Sequence, residues 1–409
     1  MYYSIYFLLL GISYGLTCDN FGYEGYVYEV NYPFLISSCC IVIFLDFFRR
    51  REDVIEQASD FYGILIKYLV LIPLLCYVSL APVDYFFAFV CVCSIFLALA
   101  ISNLKLKISF ISFSDAYSLV FWVSLIAISL SYISVSSLGF NLDINKVYEF
   151  REAASTGSYS GIYGYLNSWS TKVFIFAVFS VLHFRGYKIL ANTSLLLLGL
   201  IFFGFTSHKS IMAFTFFILS LSFLDSINKF KESYIHLLFI MLLTFPLLIY
   251  YLFDDLSIFS LLVRRVIFLP QYIIFNYHEF FSSRNFVLMS NSILSAFSDY
   301  DYDVGTSKLI GGYLGKPDMG ANSGFLASGY MHFGIIGVIL FSSILGFLIA
   351  ILSLFVRSGV NFLYVIAISM SPMLSFIISS DFGAALFTHG LLISMFILFL
   401  LSLQSRGIK

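Results

Sequence analysis

The sequence predicts an all-α polytopic membrane protein, with about twelve transmembrane helices and a large extracytoplasmic loop between spans nine and ten. Three observations predict it. Of 409 residues, 60 % are hydrophobic and 11 % charged, far below the roughly 25 % charged content of soluble domains. Apolar runs recur at the length of about 20 residues that a hydrocarbon core of about 30 Å requires. Lysine and arginine gather on alternate connections, the charge asymmetry that sets orientation.

The first run, near 2–17, begins MYYSIYFLLLG. It has neither a basic leader region nor a small-residue cleavage site, so it reads as a retained span. Runs follow near 32–48, 61–80, 85–102 and 116–138, then near 169–184, 190–205, 211–225 and 234–252, and finally near 330–356, 360–380 and 384–403. The stretch from Phe325 to Phe355 also fits a re-entrant piece followed by one span. With the N-terminus inside, the cytoplasmic connections carry Arg49, Arg50, Arg51, Lys105, Lys107, Arg185, Lys188, Lys229, Lys231, Arg357, Arg406 and Lys409. The outer turns at 81–84 and 381–383 carry no Lys or Arg, and the first outer loop holds Asp19, Glu24 and Glu29. Residues 139–168 and 253–323 are thereby expected outside the cytoplasm, and both termini inside. The whole chain is one integral membrane domain.

Five of six cysteines fall inside apolar runs and only Cys18 reaches an outer loop, which suits neither a disulfide framework nor a zinc site. No internal repeat relates the two halves, so the matched-repeat plan of many transporters is not apparent. Lys67 is the main charge expected within a span.

The loop 253–323 concentrates polar chemistry. Its segment Leu256 to Phe281 is apolar enough to touch the membrane, yet Arg264 and Arg265 sit in its middle, and each arginine at a span centre costs about 2.5–3.5 kcal/mol on translocon scales. An amphipathic interfacial helix, bent or ended by Pro270, is the expectation. After it, the stretch SDYDYDVGTSKLIGGYLGKPDMGANSG reads as ordered loop with a sugar-facing composition of Tyr, Asp and Asn, Tyr313 among them. Its Asp299, Asp301 and Asp303 alternate as in a calcium loop, but Val304 and Ile310 stand where glycine and glutamate are required.

An enzyme on the outer face has no nucleotide donor, so a lipid diphosphate is the natural activated substrate. Arg264, Arg265 and Arg284 are candidate phosphate ligands, since guanidinium binds phosphate oxygens in a planar fork; anchoring to lipid headgroups is the competing reading. Arg151, beside Glu149 and Glu152, is a second candidate ligand or a local ion pair. Lys209, opening a helix after Thr206-Ser207-His208, is an anion ligand or an interfacial lysine. His278 is the leading candidate base among His332, His389, Asp19, Glu24, Asp254, Asp255 and Glu279. Walker, zincin and nucleophile-elbow motifs are absent, so no cofactor and no metal is implied.

With these features the chain resembles the O-antigen and capsule repeat-unit polymerases, the Wzy family, and more distantly the O-antigen ligases. The layout carries the resemblance over nearly the whole chain. Locally, Thr206-Ser207-His208-Lys209-Ser210 is similar to a small-residue turn with a basic residue, Arg264-Arg265 to Pro270 to a basic-aromatic-proline segment, and Asn322, Leu326, Gly334 and Gly337 to positions that open the span after the large loop. Ala321 replaces the histidine that the ligases place before that asparagine, and Ile162 and Phe275 break an Arg-x10-Gly loop motif.

The resemblance implies a glycosyltransferase of the bacterial inner membrane, moving a glycan from undecaprenyl diphosphate to the sugar of another lipid-linked repeat unit. Arg264, Arg265 and His278 would be its catalytic residues, and Arg151, Lys209, Arg284, Tyr313 and Asn322 would bind substrate. Partners would be undecaprenyl-diphosphate-linked oligosaccharides, membrane lipids, a chain-length regulator and a flippase, with no nucleic acid. The rival readings are a lipid-linked oligosaccharide flippase or other polysaccharide transporter, which needs charges deep within several spans, and a membrane acyltransferase, which needs a His–Asp pairing that the sequence does not reveal.

Overall fold

The computed structural model describes residues 1–48, 54–107, 115–136, 139–143, 161–226, 230–291 and 299–405. These residues are helical apart from turns and one isolated bridge, Val54 to Lys231. Arg151, with most of the loop 139–168, and the basic triplet 49–51 lie outside them.

In chain order the helices are α1 Tyr2–Phe21, α2 Tyr32–Phe47, α3 Ala58–Leu80, α4 Tyr85–Ser102, α5 Ala116–Ser136, α6 Ile162–Phe184 and α7 Lys188–Thr206. Next come α8 Lys209–Ser226, α9 Glu232–Phe253, α10 Ser257–Ser282, the short α11 Thr306–Tyr313, α12 Phe325–Arg357, α13 Phe362–Ser379 and α14 Leu391–Ser405. Nine of these are long and apolar enough to cross a membrane: α3 to α7, α9, α10, α12 and α13. The chain is thus a polytopic α-helical membrane protein among its described residues.

Local chemistry sets the helix ends. Asn31 and Asp84 accept from the N–H groups of Phe34 (3.1 Å) and Phe87 (2.8 Å) to start α2 and α4, and Asn361 accepts from Leu363 N–H (2.8 Å) to start α13. Such caps satisfy backbone donors that have no partner in a first turn. At one end of the bundle Asp46 joins α2 to α1, accepting from the N-terminal ammonium and from the Tyr3 and Ser4 amides. At the same end, Ser59 of α3 donates its N–H to Ser353 of α12.

Among the described residues five π-helical segments lie within or beside the helices, at Lys67–Leu71, Ser170–Phe174, Ser260–Phe268, Ser375–Ser379 and Ala384–Thr388. Widened turns of this kind gather where side chains must be re-aimed, and here they place Lys172, Arg264 and the residues on either side of Asp381.

Helices α10, α12 and α11 bear on the expected layout. Pro270 neither ends nor separates a helix, because α10 runs from its π segment straight through it. Although α10 is long enough to cross, both of its arms meet the same end of the bundle. Arg264 reaches Glu24 beyond the end of α1, and His278 stacks on Phe87 at the start of α4. Between these arms Phe268 meets Tyr14, and Gln271 donates to the Leu69 carbonyl at mid-length in α3. The helix therefore lies against α1, α3 and α4, with Gln271 reaching the middle of α3.

Helix α12 is broken at Phe333 (φ −140°, ψ 22°) and Gly334 (φ 60°, ψ −143°). The arm ahead of this break folds back on the long arm after it, so that a Cβ on Gly329 or Gly337 would collide with the other glycine's backbone. The sequence allowed a separate piece ahead of one span here, and the helix does divide at Gly334. A further difference is α11, which is helical where ordered loop was expected.

Candidate functional site

A polar cavity of about 640 Å³ opens at the end of the bundle that holds α1's C-terminus and α4's N-terminus. One wall is the connection from Ser379 to His389, between α13 and α14. The facing wall comes from residues 253–323: Tyr277 on α10, Gly305 to Ser307 opening α11, and Asn322 and Ser323 ahead of α12. Hydrogen bonds lace that wall together, with Tyr277 OH donating to the Ala321 carbonyl (2.9 Å) and the Ala321 N–H to the Ser307 carbonyl (2.9 Å).

Asp381 is the carboxylate of the cavity. Ser328 Oγ donates to its Oδ1, which also receives His332 Nε2 at 2.9 Å. Both donors stand on the first arm of α12, one turn apart, so the break at Gly334 is what aims them. The other nitrogen of the buried His332, Nδ1, accepts from the Met289 N–H at 3.1 Å. An imidazole that accepts at Nδ1 carries its proton on Nε2, and the donor toward Asp381 is thereby set. Leu288 and Met289 hold φ of 48° and 63° to present that amide, strain of a kind that collects at functional sites. Burial pushes the Asp381 carboxyl up, but hydrogen bonds from His332, Ser328 and the Phe382 N–H outweigh it and hold it below the ordinary carboxylate value.

A second cluster adjoins the first. His389 lines the large cavity and also a smaller one of about 320 Å³. Its Nδ1 meets the ammonium of Lys172, and its Nε2 meets Ser380 Oγ at 2.6 Å. Burial, followed by the positive charges of Lys172 and His208, pulls His389 down to about 3, so it is neutral. A third cavity, of about 660 Å³, lies beside α4 and α10 and is lined by Asp84, Tyr272, His278 and Glu279.

The sequence-predicted residues are not brought together. Arg264 is bound to Glu24, donates to Ser260 Oγ (3.0 and 2.8 Å) and stacks on Phe21 at 4.6 Å. Glu24 also pairs with Lys316 at 3.3 Å. Arg264 thus fastens α10 to the end of α1 and does not line the large cavity. Arg265 and Lys209 are exposed. Arg284 is exposed and covers the Phe280 ring at 4.0 Å, with Tyr313 against the same ring. His278 belongs to the third cavity, separate from Asp381. Among these candidates only Asn322 lines the large cavity.

Asp381 and Lys172 were the residues that sequence reading missed, while His332 and His389 were named only as alternatives to His278. A His–Asp pair exists after all, formed across 49 positions of the chain, a separation no spacing motif spans. Lys172 already fell inside the expected run near 169–184 and was not singled out there; α6, Ile162–Phe184, carries it. It joins Lys67 as a charge within an apolar helix.

Comparison with protein-family models, with characterised proteins and with solved structures finds no match to this chain.

Proposed function

We propose that this chain is a membrane glycosyltransferase of the repeat-unit polymerase type, acting on the extracytoplasmic face with twelve crossings and both termini in the cytoplasm of a bacterial cell. It transfers a glycan from a polyprenyl diphosphate to a hydroxyl on the sugar of a second lipid-linked repeat unit. The observation that carries this reading is the Asp381 carboxylate, fixed by His332 and Ser328 on the wall of a polar cavity of about 640 Å³. A carboxylate held ionised is the form that accepts a proton.

In the proposed step Asp381 takes the acceptor hydroxyl proton while that oxygen attacks the anomeric carbon. The bond from that carbon to the phosphate oxygen breaks, and the diphosphate leaves with the electron pair. His332 is a positioning residue, because both of its nitrogens are engaged. The backbone N–H groups that open α11 and α12 border the same cavity and favour negative charge there. Tyr165 and Asn322 supply the stacking surface and the amide that a sugar path needs.

The His332–Asp381 pair also brings an acyltransferase into view. That chemistry asks a histidine to abstract the proton, and His332 has no nitrogen left for it. The direct test is elongation of a purified lipid-linked repeat unit by the full-length protein. Asp381→Asn is expected to abolish lengthening while protein level and fold persist; normal chain lengths from that variant would sink the assignment.

A further inference from the structure

The small cavity has a composition of its own. Its polar lining is Asn167, Ser168 and Thr171 with Lys172 on α6, His208 and Ser210 at the start of α8, Ser371 on α13, and His389. No carboxylate lies on this wall among the described residues. Lys172 is partly buried, and the neighbour it meets is the neutral imidazole of His389. An ammonium withdrawn from water beside a neutral partner keeps much of its desolvation cost, which an anion in the cavity offsets.

The remaining groups also favour an anion. Ser131 donates to Asn167 Oδ1 at 3.3 Å, so the hydrogens of that amide are what Asn167 has left to give. His389 accepts from Lys172 at Nδ1 and therefore donates from Nε2 to Ser380, pointing its proton away from the small cavity. The positive end of α8 opens at His208 and Ser210. Ile211 and Phe214 give the cavity one apolar side.

We infer that this cavity is a binding site for a diphosphate anion, with Lys172 as its principal ligand and His208, Ser168 and Asn167 around it. The anion is a prenyl diphosphate headgroup or free diphosphate. Assigning it to the donor lipid rests on the glycosyl-transfer reading, and it places the leaving group one imidazole away from the cavity of Asp381. The apolar side of Ile211 and Phe214 then faces the isoprenoid chain.

The test uses the full-length protein in phosphatidylcholine nanodiscs, titrated separately with inorganic diphosphate and with farnesyl diphosphate, and followed by phosphorus NMR and calorimetry. Wild type and Asp381→Asn are expected to bind, and Lys172→Arg to bind nearly as well. Lys172→Gln should weaken binding by about tenfold or more, the scale of losing a charge-assisted contact to phosphate. If Lys172→Gln fails to stay monodisperse, Ser168→Asp serves instead, since a carboxylate on the wall should expel the anion while leaving the lysine in place.

Farnesyl diphosphate binding tighter than inorganic diphosphate identifies a lipid headgroup site, and equal affinities identify a site for the free anion. Unchanged binding in both Lys172→Gln and Ser168→Asp, or no binding of either probe to wild type, overturns the inference. The two proposals fail separately. Elongation that survives Lys172→Gln removes this site and leaves the transferase reading, whereas Lys172-dependent binding without any elongation does the reverse.

Discussion

At the scale of single residues, the hydrogen bonds onto Asp381 decide at which pH the site works. Its folded value is depressed, so the ionised, proton-accepting form is full above the ordinary carboxylate value and is lost as pH falls through the depressed one. Replacing the group by Asn should lower the elongation rate roughly 10²–10⁴-fold, the usual worth of a positioned base. His332→Ala removes a donor while the burial remains, so the acid limb of the pH–rate profile should move to higher pH. An acid limb that stays put would show that His332 does not act through Asp381. Arg264 invites the opposite expectation. Its side chain and that of Glu24 are 13 % and 14 % exposed, and Arg264→Ala leaves Glu24 with Lys316 alone, at a cost of about 1–3 kcal/mol. Thermal melts should therefore fall for Arg264→Gln and recover in the Glu24→Gln, Arg264→Gln double variant. A stable but inactive double variant would return Arg264 to the chemistry.

Among elements, the folded arm of α12 carries the site, because Ser328 and His332 reach Asp381 only while Gly329 and Gly337 cross in contact. Gly337→Ala should force the crossing apart, costing about 1–3 kcal/mol as an overpacked contact and more in elongation than in melting temperature; equal losses in both would mean the arm has only a structural role. This element was half legible in sequence. Hydropathy marked Phe325 to Phe355 as too long for one span, and the glycines at 334 and 337 were visible. That Gly334 takes φ 60° and turns the arm back depends on what it packs against, Phe286 among others. Most helices could be read from apolar length alone, since lipid demands about 20 apolar residues whatever the neighbours. Helix α10 could not. Its two arginines gave no hint of their partners: Glu24, Ser260 and Phe21 neutralise and cover Arg264, while Gln271 reaches the Leu69 carbonyl. Those partners lie far away in the chain, where periodicity has no view of them.

For the molecule as a whole, the proposed topology puts Ser307 and Ser380 on one side of the membrane and Asn103 on the other. In a cysteine-free background, Ser307→Cys should react with an impermeant maleimide in cells whose inner membrane is intact, and Asn103→Cys only after lysis. The reverse pattern would invert the orientation and move the site to the cytoplasm. Loss of the gene should leave a single repeat unit on the lipid core with no longer chains, read on a gel of surface polysaccharide; loss of the single repeat as well would point to translocation. The ion pair between Glu24 and Arg264 has one more consequence, in time rather than space. Its partners are 240 positions apart, so at about 5–20 residues per second a ribosome needs roughly 12–48 s to supply the arginine after the glutamate has emerged. Throughout that interval Glu24, beyond the end of α1, lacks both of the cations that pair with it in the fold. The end of α1 is thus made early and fastened late, only once α10 has been synthesised.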